Sequence, residues 1–504
     1  MARSSSDNRP PGVPARGSSP GDSRWGAMWL MVVLLCVGCA ALLLPTDRPQ
    51  GIMMWTFARE HQLMYEPLVE RWNEELASGL APADGSPPLQ SPFHVRLLGL
   101  PALQRRMMSH FMAGTPSSDL MEVERQMAGR TFLGPLDAVG FVDLTDVLRD
   151  EGLLEKMPAA SFSPWTSRGR IFGLPHDVHP VMLAYRADIF DAAKIDVSSI
   201  ETWDDLERVA RPLMDVDGDG KPDRYLLNMW ETQRDHLELL ILQAGGSFFD
   251  AEERVVIDSP ENAMVLAKVV RWCRGPDAIA ADAPNFSPAG NKLRADGFVL
   301  TGFVPDWMLG IWSREIPSLA GKVRVMPLPA FERGGRRTSV WGGTMLGIPK
   351  TAARTPESFR ERWSIAKRLY LSKQLATDLW KTGGIITPVR EHWSDPVFAE
   401  PVAFLGGQRS GLEYIALADH VPSRSSSPFN TQALERVQRA LQDLSEDAQA
   451  AGNFDEEWLR ERAKIHLRRA HDLIQAVVDR NVFLRDDRAN ATERQTAHTP
   501  EALR

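Results

Sequence analysis

The loop at 215–223, DVDGDGKPD, is dense in groups that could bind a metal ion. Carboxylates occupy its first, third, fifth and ninth positions: Asp215, Asp217, Asp219 and Asp223. With glycine at the sixth position, this is the spacing of a calcium loop, in which oxygen ligands converge around a sharp turn. The twelfth position is Leu226 instead of a bidentate glutamate, so the loop is either a weak structural calcium site or an Asx-rich turn closed by Pro222.

Three polar side chains, His176, Asp177 and His179, interrupt a stretch that otherwise has the pattern of two strands. The stretch is 171–186, IFGLPHDVHPVMLAYR, in which Pro175 breaks the ladder and a second apolar run follows. That run would be buried on both faces of an α/β sheet. Polar groups at such an interruption lie between rigid strand ends and are well placed to face a ligand. A loop with two satisfied surface histidines is the alternative.

Tryptophans are the third set of residues with a chemical use. The chain has 15 Trp and only 5 Tyr. Flat aromatic faces stack on the C–H surfaces of sugar rings, while charged groups hydrogen-bond the sugar hydroxyls. Three of the Trp stand in loop contexts that suit this role: Trp230, Trp307 and Trp341. Four others recur at helical spacing and are predicted to pack in the core: Trp72, Trp203, Trp272 and Trp363.

An alternation of strands and helices must position these groups. Strands are predicted at 52–58, 93–100 and 118–123, and an amphipathic helix follows the first of them. A second helix is predicted at 102–112. Such alternation indicates parallel βαβ units, whose binding loops lie at the carboxyl ends of the strands. With 504 residues, 43% of them hydrophobic, the chain is long enough to build two packed lobes.

Composition and motifs argue against several classes of function. A formal net charge of -8 and a pI near 5.8 argue against a nucleic-acid binder. Of the three cysteines only Cys273 follows residue 45, so no intrachain disulfide is predicted there. Its apolar helical context predicts a buried, unreactive thiol. The nucleotide-binding and hydrolase signatures GxGxxG, the P-loop, HExxH and GxSxG are absent from the sequence.

The amino terminus predicts export across the cytoplasmic membrane. Residues 1–24 are rich in Ser, Pro, Gly and Arg and are predicted to be disordered, as is the charged tail at 486–504. Residues 25–44 carry no charge over 20 positions and follow four arginines. This predicts a single-pass transmembrane anchor with the rest of the chain in the periplasm or outside the cell. A cleaved signal peptide and lipidation at Cys39 are the alternatives.

Nine segments taken together resemble a known family. They are WTFAREHQLMYEPLVERWNEE, SSDLMEVE, FVDLTDVL, IFGLPHDVHPVMLAYRADIF, ETWDDLERVAR, LQAGGSFFD, DGFVLTGFVPDWMLG, WGGTMLGIPK and GGIITPVREHW. In order and spacing they resemble the extracellular solute-binding proteins of the sugar class, the receptors of ABC importers that include the maltose-binding protein. The resemblance covers roughly residues 52–485. It implies an α/β, two-lobed periplasmic-binding-protein (Venus-flytrap, type II) fold with three interlobe crossings, here preceded by one transmembrane helix.

Matching to the family also places the crossings and the lobes. The crossings are expected near 178–183, 336–341 and 383–388. Gly383 and Gly384 suit a hinge because glycine absorbs large backbone rotations. Lobe one is then predicted at 52–180 and 341–383, and lobe two at 181–338 and 386–485.

The same matching implies ligand contacts from both lobes. The candidate contacts are Glu122, Glu124, Arg125 and Trp341 from lobe one, Trp230, Glu231 and Trp307 from lobe two, and His176 and Asp177 at the border. Trp307 occupies the place where the family carries a stacking Trp.

The implied function is solute binding for an ABC importer without chemical turnover. The expected partners are a small solute, a sugar in the first place, and the permease subunits, with membrane attachment through the amino-terminal helix and no nucleic acid. No cofactor is expected beyond structural calcium. Sugar alcohols and glycerol phosphate stay open as solutes, because pocket shape decides between them. A membrane-anchored hydrolase with a carboxylate pair and a sensory or docking module are the alternative functions.

Overall fold

The structure is a computed structural model that describes residues 26, 28–36, 50–82 and 84–483. The chain divides into two units, residues 1–50 and residues 51–504. In the first unit, residues 28–36 are helical. Half of the predicted anchor, including Cys39, and both predicted tails lie outside the described residues. Within the described part, no helix is long and apolar enough to span a membrane.

Lobe one is built on a five-stranded sheet of order β2-β1-β3-β12-β6. Its strands are β1 (Ile52–Thr56), β2 (Phe93–Leu97), β3 (Leu120–Glu124), β6 (Leu174–Pro175) and β12 (Thr344–Gly347). The first three are parallel, whereas β12 runs antiparallel to β3 and β6. The three strands predicted first along the chain are therefore confirmed, each within a few residues. Pro175, which cannot donate to a ladder, ends the edge strand β6.

Helices cover both faces of this sheet. They are α1 (Arg59–Ser78), α2 (Leu100–Ala113), α3 (Arg125–Arg130), α4 (Thr145–Asp150), α5 (Ala159–Phe162), α12 (Pro356–Tyr370) and α13 (Lys373–Asp378). A two-stranded ribbon joins β4 (Thr166–Ser167) to β5 (Arg170–Ile171). The apolar face of α1 packs Tyr65, Leu68 and Trp72 against β2 and α12 residues. The predicted amphipathic helix is thus confirmed.

Lobe two has its own five-stranded sheet of order β11-β7-β10-β8-β9. The strands are β7 (Val181–Arg186), β8 (Tyr225–Asn228), β9 (Ala280–Ala281), β10 (Val299–Pro305) and β11 (Val323–Pro327). β8 is parallel to β9 and β10, and β7 is antiparallel to β10 and β11. All seven residues of β10 are buried, as expected of a central strand covered on both faces.

The last two helices of lobe two are its longest and pack against each other. In chain order the helices of this lobe are α6 (Ala187–Ala192), α7 (Trp203–Ala210), α8 (Arg234–Gln243), α9 (Pro260–Cys273), α10 (Pro288–Asp296), α11 (Asp306–Glu315), α14 (Ser410–Ala418), α15 (Asn430–Ala451) and α16 (Glu456–Asp479). α9 is buried beneath α15 and α16, so Trp272 and Cys273 lie in the core. Burial raises the pKa of the Cys273 thiol well above its usual range. The predicted inert thiol and the four core tryptophans are confirmed.

Two crossings between the lobes run side by side. The first is 176–180, between β6 and β7, so the crossing predicted at 178–183 is corrected: Val181 already pairs within the lobe-two sheet. The second passes Val340, which forms an antiparallel bridge with Pro180. Thr338 and Val181 add a further hydrogen bond between these two segments, at 3.1 Å. The paired crossings form a short two-stranded connection.

The third crossing follows a turn of π-helix at Leu379–Gly383. Gly384 has a φ of 73°, a left-handed conformation that favours glycine. A Cβ at this position would lie 3.0 Å from the carbonyl oxygen of Asp306. A later segment also touches lobe one, since the backbone N–H of Arg424 donates to the Ser163 hydroxyl at 2.9 Å. The chain between α14 and α15 therefore contacts both lobes.

Candidate functional site

Two of the predicted tryptophans meet beside the crossings. The ring centroids of Trp307 and Trp341 are 5.7 Å apart at 73°, and the Trp307 indole N–H donates to the Trp341 carbonyl at 3.1 Å. Both side chains are half-buried. Phe286 lies nearly parallel to Trp307, at 11° with centroids 6.1 Å apart, and is 59% exposed. These three rings are called the aromatic group below.

Phe286 is a site residue that the sequence analysis missed. It has a φ of 56°, a left-handed conformation that is uncommon for an aromatic residue. It sits in the loop between β9 and α10, at the carboxyl end of a lobe-two strand. Large exposed apolar side chains held in sparsely populated conformations are typical of binding sites. The available signal was an aromatic residue in the Asn-Phe-Ser-Pro turn, which has no helical or strand periodicity.

A chain of buried charges positions Trp307. Asp306, the residue before it, accepts from the Trp307 backbone N–H at 2.9 Å, from His179 Nδ1 at 2.7 Å and from the Ile386 backbone N–H at 2.7 Å. His179 Nε2 in turn lies 3.0 Å from Asp177. Burial alone would lower the pKa of His179, but the carboxylates of Asp177 and Asp306 raise it to about 10. The chain of Asp177, His179 and Asp306, called the relay below, therefore carries a proton at neutral pH.

Both border residues, His176 and Asp177, are buried. His176 Nδ1 lies 3.2 Å from Asp177, and the His176 ring lies 4.3 Å from the ring of His61. Burial and the nearby His61 lower the pKa of His176. Asp177 has its pKa held well below the usual range, because the charge of His179 and hydrogen bonds from both histidines outweigh its burial. The structure brings Asp177 to the relay and directs His176 into lobe one.

Glu122 does not face the space between the lobes, which corrects the prediction that it contacts the solute. It has no exposed surface, and its carboxylate accepts from the hydroxyls of Tyr65, Tyr370 and Thr56. Burial would raise the pKa of Glu122, but His61 is among the groups that lower it to about 2. Glu122 lies on the strand face that packs against α1, and successive strand residues point to opposite faces.

Glu124 and Arg125 lie at the carboxyl end of β3, next to lobe two. Glu124 is half-buried and caps α3 by accepting from the Gln126 backbone N–H at 2.8 Å. Arg125 forms an ion pair with Glu238 of α8, at 2.5 Å between Nη2 and Oε2. Both side chains of the pair are only about a tenth exposed, at 8% and 11%. Since β3 belongs to lobe one and α8 to lobe two, this pair joins the lobes.

Two further polar residues lie beside this ion pair, and no sequence pattern identified them. Asn430, at the start of α15, donates to Glu238 at 3.1 Å. Arg424 donates to the Gly342 carbonyl at 2.5 Å, and burial together with the charge of Arg125 lowers its pKa to about 9. Because these residues are far apart in the sequence and have no motif spacing, only the fold brings them together. Side chains of both charge signs thus lie together beside the crossings.

Trp230 and Glu231 are directed into lobe two, which corrects their prediction as solute contacts. Arg274 binds Glu231 through two nitrogens, at 2.8 and 3.1 Å, and its guanidinium lies 4.6 Å from the centre of the Trp230 ring. The Ser445 hydroxyl of α15 also donates to Glu231. Both residues follow β8, but the chain turns there toward α9 and α15. Their partners are structural and leave no free carboxylate oxygen for a sugar hydroxyl.

The acidic loop brings three of its four predicted ligands together. Oxygens of Asp215, Asp217 and Asp223 lie within 4.8 Å of one another. Asp219 is not in this group, and its carboxylate accepts from the Lys221 backbone N–H at 2.8 Å. Carboxylates of the loop also accept from backbone amides, as in the alternative of an Asx-rich turn. Three converging oxygens are fewer than the roughly six to eight that calcium takes, so both the calcium site and the Asx-rich turn stay open.

We predict that calcium binds this loop weakly and raises the melting temperature of the chain. Asp217→Asn should abolish the increase, because it removes one of the three converging carboxylates. Asp219→Asn is the matched control and should retain most of it. Differential scanning fluorimetry in calcium and in chelator measures both. Identical melting temperatures of the wild type in the two conditions would identify the loop as a turn only.

We predict that Glu238→Gln separates the lobes. The substitution leaves Arg125 buried without its charged partner, and breaking a buried ion pair in this way costs roughly 3–5 kcal/mol. Small-angle X-ray scattering should therefore show a larger radius of gyration than for the wild type. The control is Glu435→Gln, which removes the half-exposed pair with Arg234, worth about 1 kcal/mol or less. An unchanged radius for Glu238→Gln would contradict the prediction.

Comparisons with known proteins agree with this geometry. The sequence profile of bacterial extracellular solute-binding proteins matches residues 109–368. An arabinooligosaccharide-binding protein of Halalkalibacterium halodurans is 25% identical over 414 residues, which cover 79% of this chain and 86% of that protein. The sugar-binding protein MalE from Xanthomonas citri has the same fold, with a TM-score of 0.63 at 13% identity over 85% of this chain and 99% of that one.

A second solved structure shows the same architecture. Maltose-bound MalE3 of T. maritima has a TM-score of 0.59 at 18% identity, covering 83% of this chain and 98% of that one. Identities this low show the shared fold alone. The matched profile, however, spans just over half of the 504 residues. The chain belongs to the bacterial extracellular solute-binding protein family.

Proposed function

We propose that this chain is the solute receptor of an ABC importer and that it binds a sugar or oligosaccharide between its lobes without chemical turnover. The observation that carries the proposal is the aromatic group, Phe286, Trp307 and Trp341, held beside the crossings. Family membership and the arabinooligosaccharide-binding relatives support a carbohydrate as the solute.

The shape of the aromatic group suits a chain of sugar rings better than one ring. Phe286 and Trp307 present nearly parallel faces whose centres are 6.1 Å apart, and Trp341 stands at 73° to Trp307. A single pyranose covers about one aromatic ring, so two adjacent faces can hold successive residues of an oligosaccharide. The exposed position of Phe286 leaves room at that end for a longer ligand.

Binding is proposed to proceed by closure of the lobes. A ligand shifts this equilibrium only through contacts that it makes better in the closed state, so groups from both lobes must touch it. Trp307 and Phe286 from lobe two are the proposed stacking groups, and Glu124 from lobe one is the proposed acceptor for hydroxyls. The paired crossings and Gly384 absorb the rotation.

The state of the carboxylates supports binding over hydrolysis. A glycosidase needs two carboxyl groups that flank the scissile bond and are free to exchange protons or to attack. Glu122 is saturated by three hydroxyls inside lobe one, Asp177 is held by two histidines, and Glu231 is bound by Arg274. Glu122, Glu124, Asp177 and Glu231 are the candidates for such a pair, and among them only Glu124 keeps partial exposure.

We predict that Trp307→Ala weakens sugar binding roughly tenfold to a hundredfold. By analogy with aromatic stacking on other flat ligands, the lost face is worth about 1–3 kcal/mol. Calorimetry with arabinooligosaccharides and with maltose measures the change. Trp272→Ala is the matched control, since Trp272 is buried in the core of lobe two and its truncation should lower stability by about 3–5 kcal/mol while the folded fraction binds normally.

Two results would contradict the proposal. Wild-type affinity in Trp307→Ala would exclude the aromatic group as the binding surface. A thermal-shift screen in which phosphorylated polyols raise the melting temperature while no sugar does so would show that the solute is a phosphorylated polyol instead of a sugar. Release of smaller saccharides during incubation would identify an enzyme instead.

We further propose that residues 25–44 anchor the receptor in the cytoplasmic membrane, next to the permease subunits that accept its solute. The support is the uncharged 20-residue run after four arginines. Mass spectrometry of the mature protein should recover the intact amino terminus in the membrane fraction. A mature chain that begins at Cys39 with an acyl group, or after residue 44, would replace the helical anchor by a lipid anchor or a cleaved signal.

A further inference from the structure

A second cluster of potential ligands lies inside lobe one. It consists of His61 on α1, Glu122 on β3 and His176 just after β6. One ligand atom from each residue lies within 4.8 Å of those of the other two. The three side chains are almost fully buried, with residue exposures of 7%, 0% and 2%. This set is called the His-Glu-His cluster below.

Two nitrogens of the cluster have no hydrogen-bond partner. His61 Nδ1 and His176 Nε2 are both buried and unpartnered. His61 Nδ1 is 3.1 Å from Glu122 Oε2, but the two groups are not aligned as a hydrogen bond. A buried polar atom left without a partner costs about 1–3 kcal/mol, so His176 Nε2, which has no neighbour such as Glu122 offers to His61, needs a physical reason. Coordination of a cation would satisfy both.

The groups around the cluster orient its ligands. His176 Nδ1 faces the carboxylate of Asp177 at 3.2 Å, which leaves Nε2 to offer its lone pair. A histidine held by a carboxylate through its other nitrogen is the usual arrangement at protein metal sites. On Glu122, Tyr65 and Tyr370 donate to Oε1, whereas only the Thr56 hydroxyl donates to Oε2. Oε2 therefore retains one lone pair, on the side of His61.

We propose that the His-Glu-His cluster is a buried zinc site, in which His61 Nδ1, Glu122 Oε2 and His176 Nε2 are the ligands. Two imidazoles and one carboxylate are a ligand set that zinc prefers, while calcium and magnesium prefer oxygen alone. Zinc bonds of about 2.0–2.1 Å in tetrahedral geometry place neighbouring ligand atoms about 3.3 Å apart. The distance of 3.1 Å between His61 Nδ1 and Glu122 Oε2 fits this spacing.

The ion would join three elements that meet at the base of the first crossing. α1 and β3 belong to the body of lobe one, and His176 is the first residue of the 176–180 crossing. A bound zinc ion therefore fixes the lobe-one end of the crossing, next to the relay of Asp177 and His179. The site is distinct from the acidic loop, whose candidate ligands are all oxygens. The inference does not depend on which solute is bound.

The test uses the tag-free full chain, stripped of metal with a chelator and dialysed. Addition of Zn²⁺ should give one tightly bound ion per chain by mass spectrometry of the metal content, and a higher melting temperature. Co²⁺ in its place should give visible d–d absorption with the intensity of a tetrahedral site. Ca²⁺ and Mg²⁺ at equal concentration should neither displace the ion nor produce the same increase.

Variants distinguish this site from surface binding of zinc. His61→Gln and His176→Gln should each remove the bound ion and the cobalt spectrum, while Asp217→Asn in the acidic loop should retain both. Thr56→Val keeps the shape of the side chain but removes the hydroxyl next to the ligand oxygen, so zinc affinity should fall roughly tenfold to a hundredfold. Far-ultraviolet circular dichroism checks that each variant is folded.

Two outcomes would overturn the proposal. One is a stripped wild-type chain that takes up no stoichiometric zinc and shows no cobalt absorption. The other is folded His61→Gln and His176→Gln variants that bind the ion as tightly as the wild type does.

Discussion

The arrangement of the binding region depends on one buried carboxylate, that of Asp306. It is fully buried and accepts hydrogen bonds from His179 of the first crossing, from the backbone of Trp307 and from Ile386 of the third crossing. A buried charge is costly unless it is paired and fully hydrogen-bonded. The raised pKa of His179 supplies the opposite charge. Asp306 therefore holds the end of β10 and two of the crossings together.

The ion pair of Arg125 and Glu238 complements this fixed point. The Asp306 contacts lie at the crossings, whereas the ion pair joins Arg125, at the start of α3 in lobe one, to Glu238 of α8 in lobe two. Burial removes water from both charges, and their attraction at 2.5 Å and the hydrogen bond from Asn430 offset part of that cost.

The sequence was sufficient for the elements of the fold and for part of the site. Strand and helix periodicity located β1, β2 and β3, and the loop context of Trp307 and Trp341 identified two residues of the aromatic group. It failed for Glu122, because a strand residue can face the core as well as the cleft, and the direction is set by which helix packs on each face. Phe286 comes from a loop whose path no periodicity describes.

The buried carboxylates beside the crossings are held by specific partners. Each deeply buried carboxylate is matched by a specific partner: Glu122 by hydroxyls, Asp177 and Asp306 by His179, and Glu238 by Arg125. Groups fixed in this way hold the walls of the site rigid but cannot take up or release a proton during a reaction. The side chains of the aromatic group are, by contrast, half-buried or exposed. Fixed charged contacts beside partly exposed aromatic faces are an arrangement suited to recognition of a flat polar molecule.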